Sequence, residues 1–246
     1  MAEGAVSSAA TRGGADDGPR DFVKYTFYHL RPEWRRLPAP ERARAREALA
    51  GVLEQPPAGL SLRTYSLVGL KAGVEFLLWS IARELEPVTE LHARVAGSPL
   101  GGYLETAYSY LGLGRVSEYV GPTAVRGEGS SGRRTASGRP YLFVYPFTKK
   151  REWYGLPFEE RRRMMAEHLR VGHRYPSVDI HTGYSFGLDD AEFILAFEAD
   201  HPSQFLDLVH DLRPSEASRY TERETPIFTC VLTPPRRLLE LAEGIP

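Results

Sequence analysis

The sequence predicts an α+β protein, specifically a dimeric α+β barrel made of two ferredoxin-like halves. One observation is that the order strand, helix, strand, strand, helix occurs twice along the 246 residues. A second is a local repeat, in which Tyr65-Ser66 is matched by Tyr184-Ser185 and Glu75-Phe-Leu-Leu-Trp by Glu192-Phe-Ile-Leu-Ala-Phe. Each half would cover one sheet face with its own helices, and the two free faces can pack together as a barrel.

The N-terminal half is assigned to residues 21–120. A β-rich run opens it, and the next helix carries Ala45, Ala48, Leu49 and Val52 on one face at helical spacing. Two strands then meet at a turn around Lys71-Ala-Gly, and a second helix follows. The predicted elements are strands at 22–30, 60–68 and 74–80 and helices at 38–53 and 87–95.

The C-terminal half is assigned to residues 139–246. Its first helix has Pro157 at its start, where the missing N–H of proline does no harm. The predicted elements are strands at 140–147, 178–186, 192–199 and 226–232 and helices at 157–171 and 202–212. Residues 121–138, rich in Gly, Ser and Arg, are predicted to form a flexible connecting loop. Residues 1–20 have no apolar core and are predicted to be a disordered tail.

Composition and charge argue against several functional classes. The net charge is −1 and there is no basic tract, so we expect no nucleic-acid partner. Cys230 is the only cysteine, which allows neither a disulfide framework nor a zinc cluster and favours a reducing compartment. No apolar run reaches the roughly 18 residues that span a membrane. We therefore expect a cytoplasmic protein with no membrane partner.

Two histidines of the C-terminal half are candidates for chemistry. His168 lies on the predicted helix, and Met164, Met165 and Val171 share its side. It is either an ordinary core histidine or an iron ligand, since an apolar slot with one imidazole suits a haem iron. His181 lies on the next strand, where alternation places it on the opposite face from Ile180. A solvated strand histidine is the alternative there.

Tyr145 is the third candidate. Tyr141, Phe143, Tyr145 and Phe147 share one face of a predicted strand, which by itself indicates an aromatic core stripe. Basic residues follow this strand and also occur in the connecting loop before it. Such cations can bind carboxylates or phosphates, or they can form a solvated rim. The basic residues are Lys149, Lys150 and Arg151 after the strand and Arg126, Arg133, Arg134 and Arg139 before it.

These motifs together resemble the chlorite dismutase family, which includes the coproheme decarboxylases of bacterial haem synthesis. The resemblance extends over residues 22–232 and is densest over 141–190. Its signals, in order, are Val144-Tyr-Pro-Phe-Thr-Lys-Lys, Arg151-Glu-Trp-Tyr-Gly-Leu-Pro, the helix ending Met-Met-Ala-Glu-His168, and Thr182-Gly-Tyr-Ser-Phe-Gly-Leu-Asp-Asp. It implies a homopentamer of α+β barrels with porphyrin in the C-terminal half.

The resemblance also implies a role for each candidate residue. His168 matches the proximal iron ligand, and Tyr145 matches the tyrosine that becomes a radical and attacks a propionate in the decarboxylases. Lys149 matches a lysine that contacts a propionate, and Trp153 matches a tryptophan close to the proximal side. His181 falls on the family's distal position, where chlorite dismutases have an arginine that can hold chlorite. Further contacts to the cofactor are expected from Arg133, Arg134 and Ser218.

The resulting hypothesis is a coproheme decarboxylase, with iron-coproporphyrin III as substrate and cofactor, hydrogen peroxide as oxidant and haem b as product. A histidine at the distal position could accept and return a proton of peroxide, which favours peroxide over chlorite. Decarboxylases with a distal histidine have it before the tyrosine, whereas this chain has no histidine between His92 and His168. The alternatives are a chlorite dismutase or peroxidase-like relative, a haem carrier without turnover, and a barrel without ligand.

Overall fold

Nine strands and six α-helices form the described part of the chain. The computed structural model describes residues 19–119 and 134–245. The strands are β1 (Phe22–Leu30), β2 (Leu60–Ser66), β3 (Phe76–Ala82), β4 (Leu104–Gly114), β5 (Tyr141–Lys149), β6 (Val178–Tyr184), β7 (Phe193–Ala199), β8 (Thr221–Arg223) and β9 (Phe228–Leu232). The helices are α1 (Ala39–Glu54), α2 (Glu86–Gly97), α3 (Arg151–Gly155), α4 (Phe158–Gly172), α5 (Pro202–Leu212) and α6 (Pro235–Glu243). The predicted tail, except for its last two residues, and the connecting loop up to residue 133 lie outside the described residues.

The sheet closes into a barrel. Its strand order is β7-β6-β4-β1-β3-β2-β9-β5-β8, and an additional pairing of β7 with β5 closes eight of the strands into a ring, with β8 attached to β5 outside it. The named strands pair antiparallel throughout, and two short seams join the halves, β4 with β6 and β2 with β9. Eight strands enclose an interior that side chains can fill. The prediction of an α+β barrel from two ferredoxin-like halves is confirmed.

Two glycines allow the seam between β4 and β6. A Cβ atom on Gly183 would lie 2.9 Å from Val23 Cγ2 and 3.4 Å from Gly112 Cα. A Cβ atom on Gly112 would lie 3.1 Å from Gly183 Cα. The strands of the two halves therefore approach here more closely than side chains would permit.

The inside of the barrel is aromatic. Tyr25, Phe27, Tyr65, Trp79 and Phe228 are fully buried there, and the Phe27 and Phe228 rings stack with centroids 4.0 Å apart. Outside the barrel, α1, α2 and α6 cover the N-terminal half, while α4 and α5 cover the C-terminal half. Each named layer thus has its own apolar core.

Four of these strands and helices were not predicted from the sequence, and the shortest of them is the three-residue strand β8. Strand β4 is exposed or half-buried along most of its length, so its sequence Leu-Glu-Thr-Ala-Tyr-Ser-Tyr lacks clear alternation. Helix α3 has five residues and is too short to show a period. Helix α6 buries Leu238, Leu239 and Ala242 at helical spacing, a pattern that the sequence does contain.

Candidate functional site

A cavity of about 390 Å³ lies between the outer face of the C-terminal sheet and the helices that cover it. Strand alternation brings every second side chain of β5, β6 and β7 to this face. The helices supply the facing wall, and most of the lining is apolar. The sheet contributes Tyr145, Phe147, Ile180, Thr182, Tyr184, Phe193, Leu195 and Phe197, and the helices contribute Met165, His168, Leu169, Leu208, Val209 and Leu212.

Five of the predicted site residues line this one cavity. They are Tyr145, Lys149, Trp153, His168 and Ser218. They come from the consecutive elements β5, α3 and α4 and from the 3-10 turn at Glu216–Tyr220, which follows much later in the chain. The fold therefore collects them on one binding surface.

His168 is positioned by α4 with its ring at the cavity wall. Its Nδ1 atom is buried and has no hydrogen-bond partner among the described residues. Burial, and secondly the Lys149 ammonium, lower the pKa of His168 to about 4. The imidazole is neutral at neutral pH, so a ring nitrogen has a free lone pair. These properties would suit a single protein ligand to a metal whose other ligands belong to a group filling the cavity.

Lys149 lies deep in the site. Its Nζ atom donates to the Ala217 carbonyl at 3.0 Å and sits 4.4 Å from the centroid of the Trp153 ring. Burial lowers the pKa of Lys149 to about 8, and Glu192 acts in the opposite direction. Lys149 thus combines a cation with an aromatic face beside His168. Its contact with a propionate stays a prediction.

Glu192 was not predicted as a site residue, yet it organises this side of the cavity. One of its carboxylate oxygens accepts from the Lys149 backbone N–H at 2.8 Å and from the Tyr154 hydroxyl at 2.6 Å. Burial and this hydrogen bond raise the pKa of Tyr154 above its usual value. The sequence signal was a glutamate opening an apolar strand, which by itself does not distinguish a site residue from a strand end.

Tyr145 is packed into the sheet side of the cavity. Its ring stacks on Phe197 with centroids 5.8 Å apart and contacts Phe205 at 6.5 Å. Burial raises the pKa of Tyr145 above its usual value, with Glu224 adding to the effect and Arg213 opposing it. The hydroxyl therefore keeps its hydrogen at neutral pH. The predicted aromatic stripe on β5 is confirmed.

The mouth of the cavity is polar. Arg213 and Glu224 form an ion pair there, and Ser218 Oγ donates to the Arg213 carbonyl at 2.6 Å. On another side Arg115 lies 5.7 Å from the centroid of the Tyr184 ring. Neither arginine was among the predicted site residues, since an isolated arginine at an element end has no distinctive pattern. Guanidinium groups at a rim suit carboxylate ligands.

The structure places His181 on the barrel side of β6, away from the cavity. Its side chain turns into the barrel, where Nε2 hydrogen-bonds Glu198 at 2.8 Å and the ring meets Trp79 edge-on at 5.2 Å. Its neighbours Ile180 and Thr182 line the cavity instead. His181 is therefore not part of the described cavity lining, and its distal catalytic role stays a prediction that the proposal below does not use. A position counted along the chain from His168 does not fix a strand face, and a shift of one residue reverses it.

The predicted arginines are not part of the described cavity lining. Arg134 is buried, and its Nη2 atom donates to the Thr182 carbonyl at 2.7 Å. That bond holds the guanidinium against the β6 backbone, away from the side chains that line the cavity. Arg133 lies outside the described residues.

Two further observations limit the kinds of site. Among the described residues, no group of three or more His, Cys, Asp or Glu side chains is arranged to hold a metal ion. Within the same part of the chain, no helix is long and apolar enough to cross a membrane.

Comparison with known proteins supports the resemblance seen in the sequence. A profile of the chlorite dismutase family matches residues 42–233. The coproheme decarboxylase of Mycolicibacterium smegmatis is 35% identical over 188 residues, which are 74% of this chain and 78% of that protein. A variant of the chlorite dismutase from Candidatus Nitrospira defluvii superposes with a TM-score of 0.81 at 26% identity, covering 91% of this chain and 95% of that chain.

A haem-binding protein from Thermus thermophilus is similar with a TM-score of 0.79 at 25% identity and the same coverage. The family profile extends into both halves and includes all the residues that line the cavity. The resemblance predicted from the motifs is therefore confirmed. The chain belongs to the chlorite dismutase family.

Proposed function

We propose that this protein is a coproheme decarboxylase of the cytoplasm. It would convert iron-coproporphyrin III to haem b by removing the carboxyl groups of two propionates, each with one hydrogen peroxide. Per propionate, the side chain R-CH2-CH2-COO⁻, one H2O2 and one H⁺ give R-CH=CH2, CO2 and two H2O. The observation that carries the proposal is a buried, protonated Tyr145 in the cavity that also holds a neutral His168. The 35% identical coproheme decarboxylase supports it.

His168 would hold the substrate by its iron. Its neutral imidazole can donate a lone pair without first losing a proton, and the surrounding apolar lining keeps water away. Lys149, packed on Trp153, places a positive charge next to this ligand. When bound, the iron supplies the oxidising chemistry, and the protein supplies position and exclusion of water.

Tyr145 would be the reactive group of the chain. Its buried hydroxyl would lose one proton and one electron to the first oxidising equivalent of the hydrogen peroxide, and the resulting phenoxyl oxygen would take a hydrogen atom from the β-carbon of a propionate. The stacked Phe197 fixes the ring, so the oxygen has a defined position relative to the cavity. Loss of CO2 from the resulting carbon radical would leave the vinyl group and one electron, which the second oxidising equivalent of the hydrogen peroxide would take up.

The rim would bind the propionates. Arg213 and Ser218 stand at the same side of the mouth, and Arg115 stands on another side. Four carboxylates of iron-coproporphyrin III need cations and hydroxyl donors around an apolar centre, which is the distribution that this cavity has. His181 has no part in this proposal, because its side chain lies on the other face of β6.

A porphyrin mass measurement tests the function. The apo-protein is mixed with iron-coproporphyrin III and titrated with hydrogen peroxide, and the porphyrins are separated by mass. We expect stepwise loss of two carboxyl groups, through a three-propionate intermediate to haem b. Stable binding without mass loss would refute the decarboxylase. The same protein loaded with haem b and given chlorite would then show whether it evolves dioxygen as a chlorite dismutase.

The assembly is part of the same proposal. We propose a homopentamer, as the family resemblance implies, and light scattering on the purified protein measures it directly. A mass of about five 27.6 kDa chains is the expected result.

A further inference from the structure

A fully buried carboxylate lies inside the barrel, on the opposite sheet face from the cavity. Glu198 on β7 has no exposed surface and accepts three hydrogen bonds. The donors are the backbone N–H groups of Ser137 at 2.7 Å and Gly138 at 2.8 Å and the Nε2 atom of His181 at 2.8 Å. A buried charge is retained only where such partners compensate for the lost water.

Glu198 is ionised in this setting. Burial raises its pKa, but the hydrogen bonds from His181, Ser137 and Gly138 outweigh burial and hold the pKa below its usual value. An ionised carboxylate only accepts, so the Nε2 atom of His181 must carry a hydrogen. His181 therefore completes the set of donors that makes this buried charge tolerable.

The segment held by Glu198 is residues 134–138, here called the arm. Its first residue, Arg134, donates its backbone N–H to Asp21 at 2.8 Å and its Nη2 atom to the Thr182 carbonyl at 2.7 Å. Its last residue, Gly138, has a φ of +80°, a conformation that glycine adopts without strain. The arm is thus fixed at one end by Arg134 and at the other by Glu198.

The arm stands directly behind a wall of the cavity. Thr182, whose carbonyl accepts from Arg134, lines the cavity with its side chain, and so does Tyr184. The Arg134 guanidinium is held at the backbone of β6, the strand that carries both of these lining side chains. A shift of the arm would therefore move the β6 backbone and, with it, the Thr182 and Tyr184 side chains that line the cavity.

We propose that His181 and Glu198 are positioning residues that fix the arm and, through Arg134, the cavity wall formed by Thr182 and Tyr184. They touch neither the cavity nor its contents and act only through the arm. The proposal uses the proposed function for the choice of porphyrin as a probe. It goes beyond that function by assigning a purpose to a buried pair that the reaction does not use.

The test compares two substitutions of one residue. His181→Gln keeps an N–H donor for Glu198, whereas His181→Leu has none. His210→Leu is the control, because that side chain is 82% exposed. Hydrogen exchange of the Ser137 and Gly138 amides reports on the arm. Titration with iron-coproporphyrin III, followed at its Soret band, reports on the cavity, and the rate of porphyrin mass loss at saturation reports on the chemistry.

We expect His181→Leu to speed up amide exchange in the arm about tenfold and to weaken porphyrin binding about tenfold. The rate at saturation should stay within about twofold, and His181→Gln and the control should match the wild type. Unchanged amide exchange in His181→Leu would refute the claim that the His181–Glu198 pair fixes the arm. Faster exchange with unchanged binding, or a slower rate at saturation with unchanged binding, would refute the positioning role.

Gly138→Ala provides a second route that leaves the barrel interior untouched. The added methyl meets nothing within 4 Å, so the substitution strains only the backbone of the arm. It should weaken porphyrin binding in the same direction as His181→Leu, and unchanged binding with a loosened arm would refute the proposal. If the wild type binds iron-coproporphyrin III but removes no carboxyl group, the proposed function is refuted. The porphyrin affinities of the wild type and the variants can still be compared, so the positioning role is tested separately.

Discussion

Replacing Tyr145 by Phe separates the chemistry of the tyrosine from its packing. The substitution removes one hydroxyl and keeps the ring that stacks on Phe197 at 5.8 Å and contacts Phe205 at 6.5 Å. Because ring volume and contacts are kept, the free energy of unfolding should change by less than about 1.5 kcal/mol. Binding of iron-coproporphyrin III should stay within about threefold of wild type, since His168 is unaffected.

The rate of decarboxylation should fall by at least about 10³, which corresponds to about 4 kcal/mol in the activation barrier. Phenylalanine has no O–H bond from which a hydrogen atom can be lost, so the group that attacks the propionate is missing. A large loss of rate with nearly unchanged stability and binding is the pattern expected for a reactive group.

The assay is single-turnover mass analysis of the porphyrin after one addition of hydrogen peroxide, with unfolding in urea measured in parallel. Tyr141→Phe is the matched control, because Tyr141 shares the β5 face but does not line the cavity. It should form haem b at the wild-type rate. Haem b formation by Tyr145→Phe at more than about a tenth of the wild-type rate would refute the reasoning.

Three further predictions concern the ligand, the seam and acid stability. His168→Ala should abolish the conversion of iron-coproporphyrin III to haem b. The absorption spectrum of the bound porphyrin should lose the bands of an imidazole-bound iron, and added imidazole should restore them. Gly183→Ala should lower the free energy of unfolding in urea by about 1–3 kcal/mol, because its Cβ would lie 2.9 Å from Val23 Cγ2. Gly51→Ala in α1 is the control: a Cβ there meets nothing within 4 Å, so the substitution should be neutral or stabilising. Burial, and secondly the Lys24 ammonium, lower the pKa of His92 to about 4. In the unfolded chain this histidine is protonated below about pH 6.5, whereas in the folded protein it stays neutral down to about pH 4. The free energy of unfolding should therefore fall as the pH decreases from about 6.5 to about 4. His92→Gln should show a weaker dependence in that window.

The sequence predicted the frame of the site because local patterns determine it. Proline near the start of α4 and the apolar spacing around His168 located that helix, and alternation on β5 placed Tyr145 and Phe147 on one face. These patterns depend on neighbours along the chain. The other predicted residues that line the cavity, Lys149, Trp153 and Ser218, were expected from the family resemblance and not from a local pattern.

The absolute orientation of β6 could not be predicted in the same way. Alternation correctly separated His181 from Ile180 and Thr182, but it did not say which set faces the helices. That choice depends on the seam, where Gly183 packs against Gly112 from the other half of the chain. Tertiary contacts of this kind leave little signal in a single sequence.

Both faces of β6 and β7 carry buried side chains, but of different kinds, and the proposed function explains the difference. The cavity face is apolar, with Ile180, Leu195 and Phe197, and this lining contributes to the burial that holds His168 neutral. A carboxylate among these apolar side chains would favour protonation of the imidazole. The ionised Glu198 instead lies behind the sheet, where its hydrogen bonds hold the arm and three donors compensate its charge. The same strands can therefore support a polar anchor and an apolar binding site because alternation keeps the two apart.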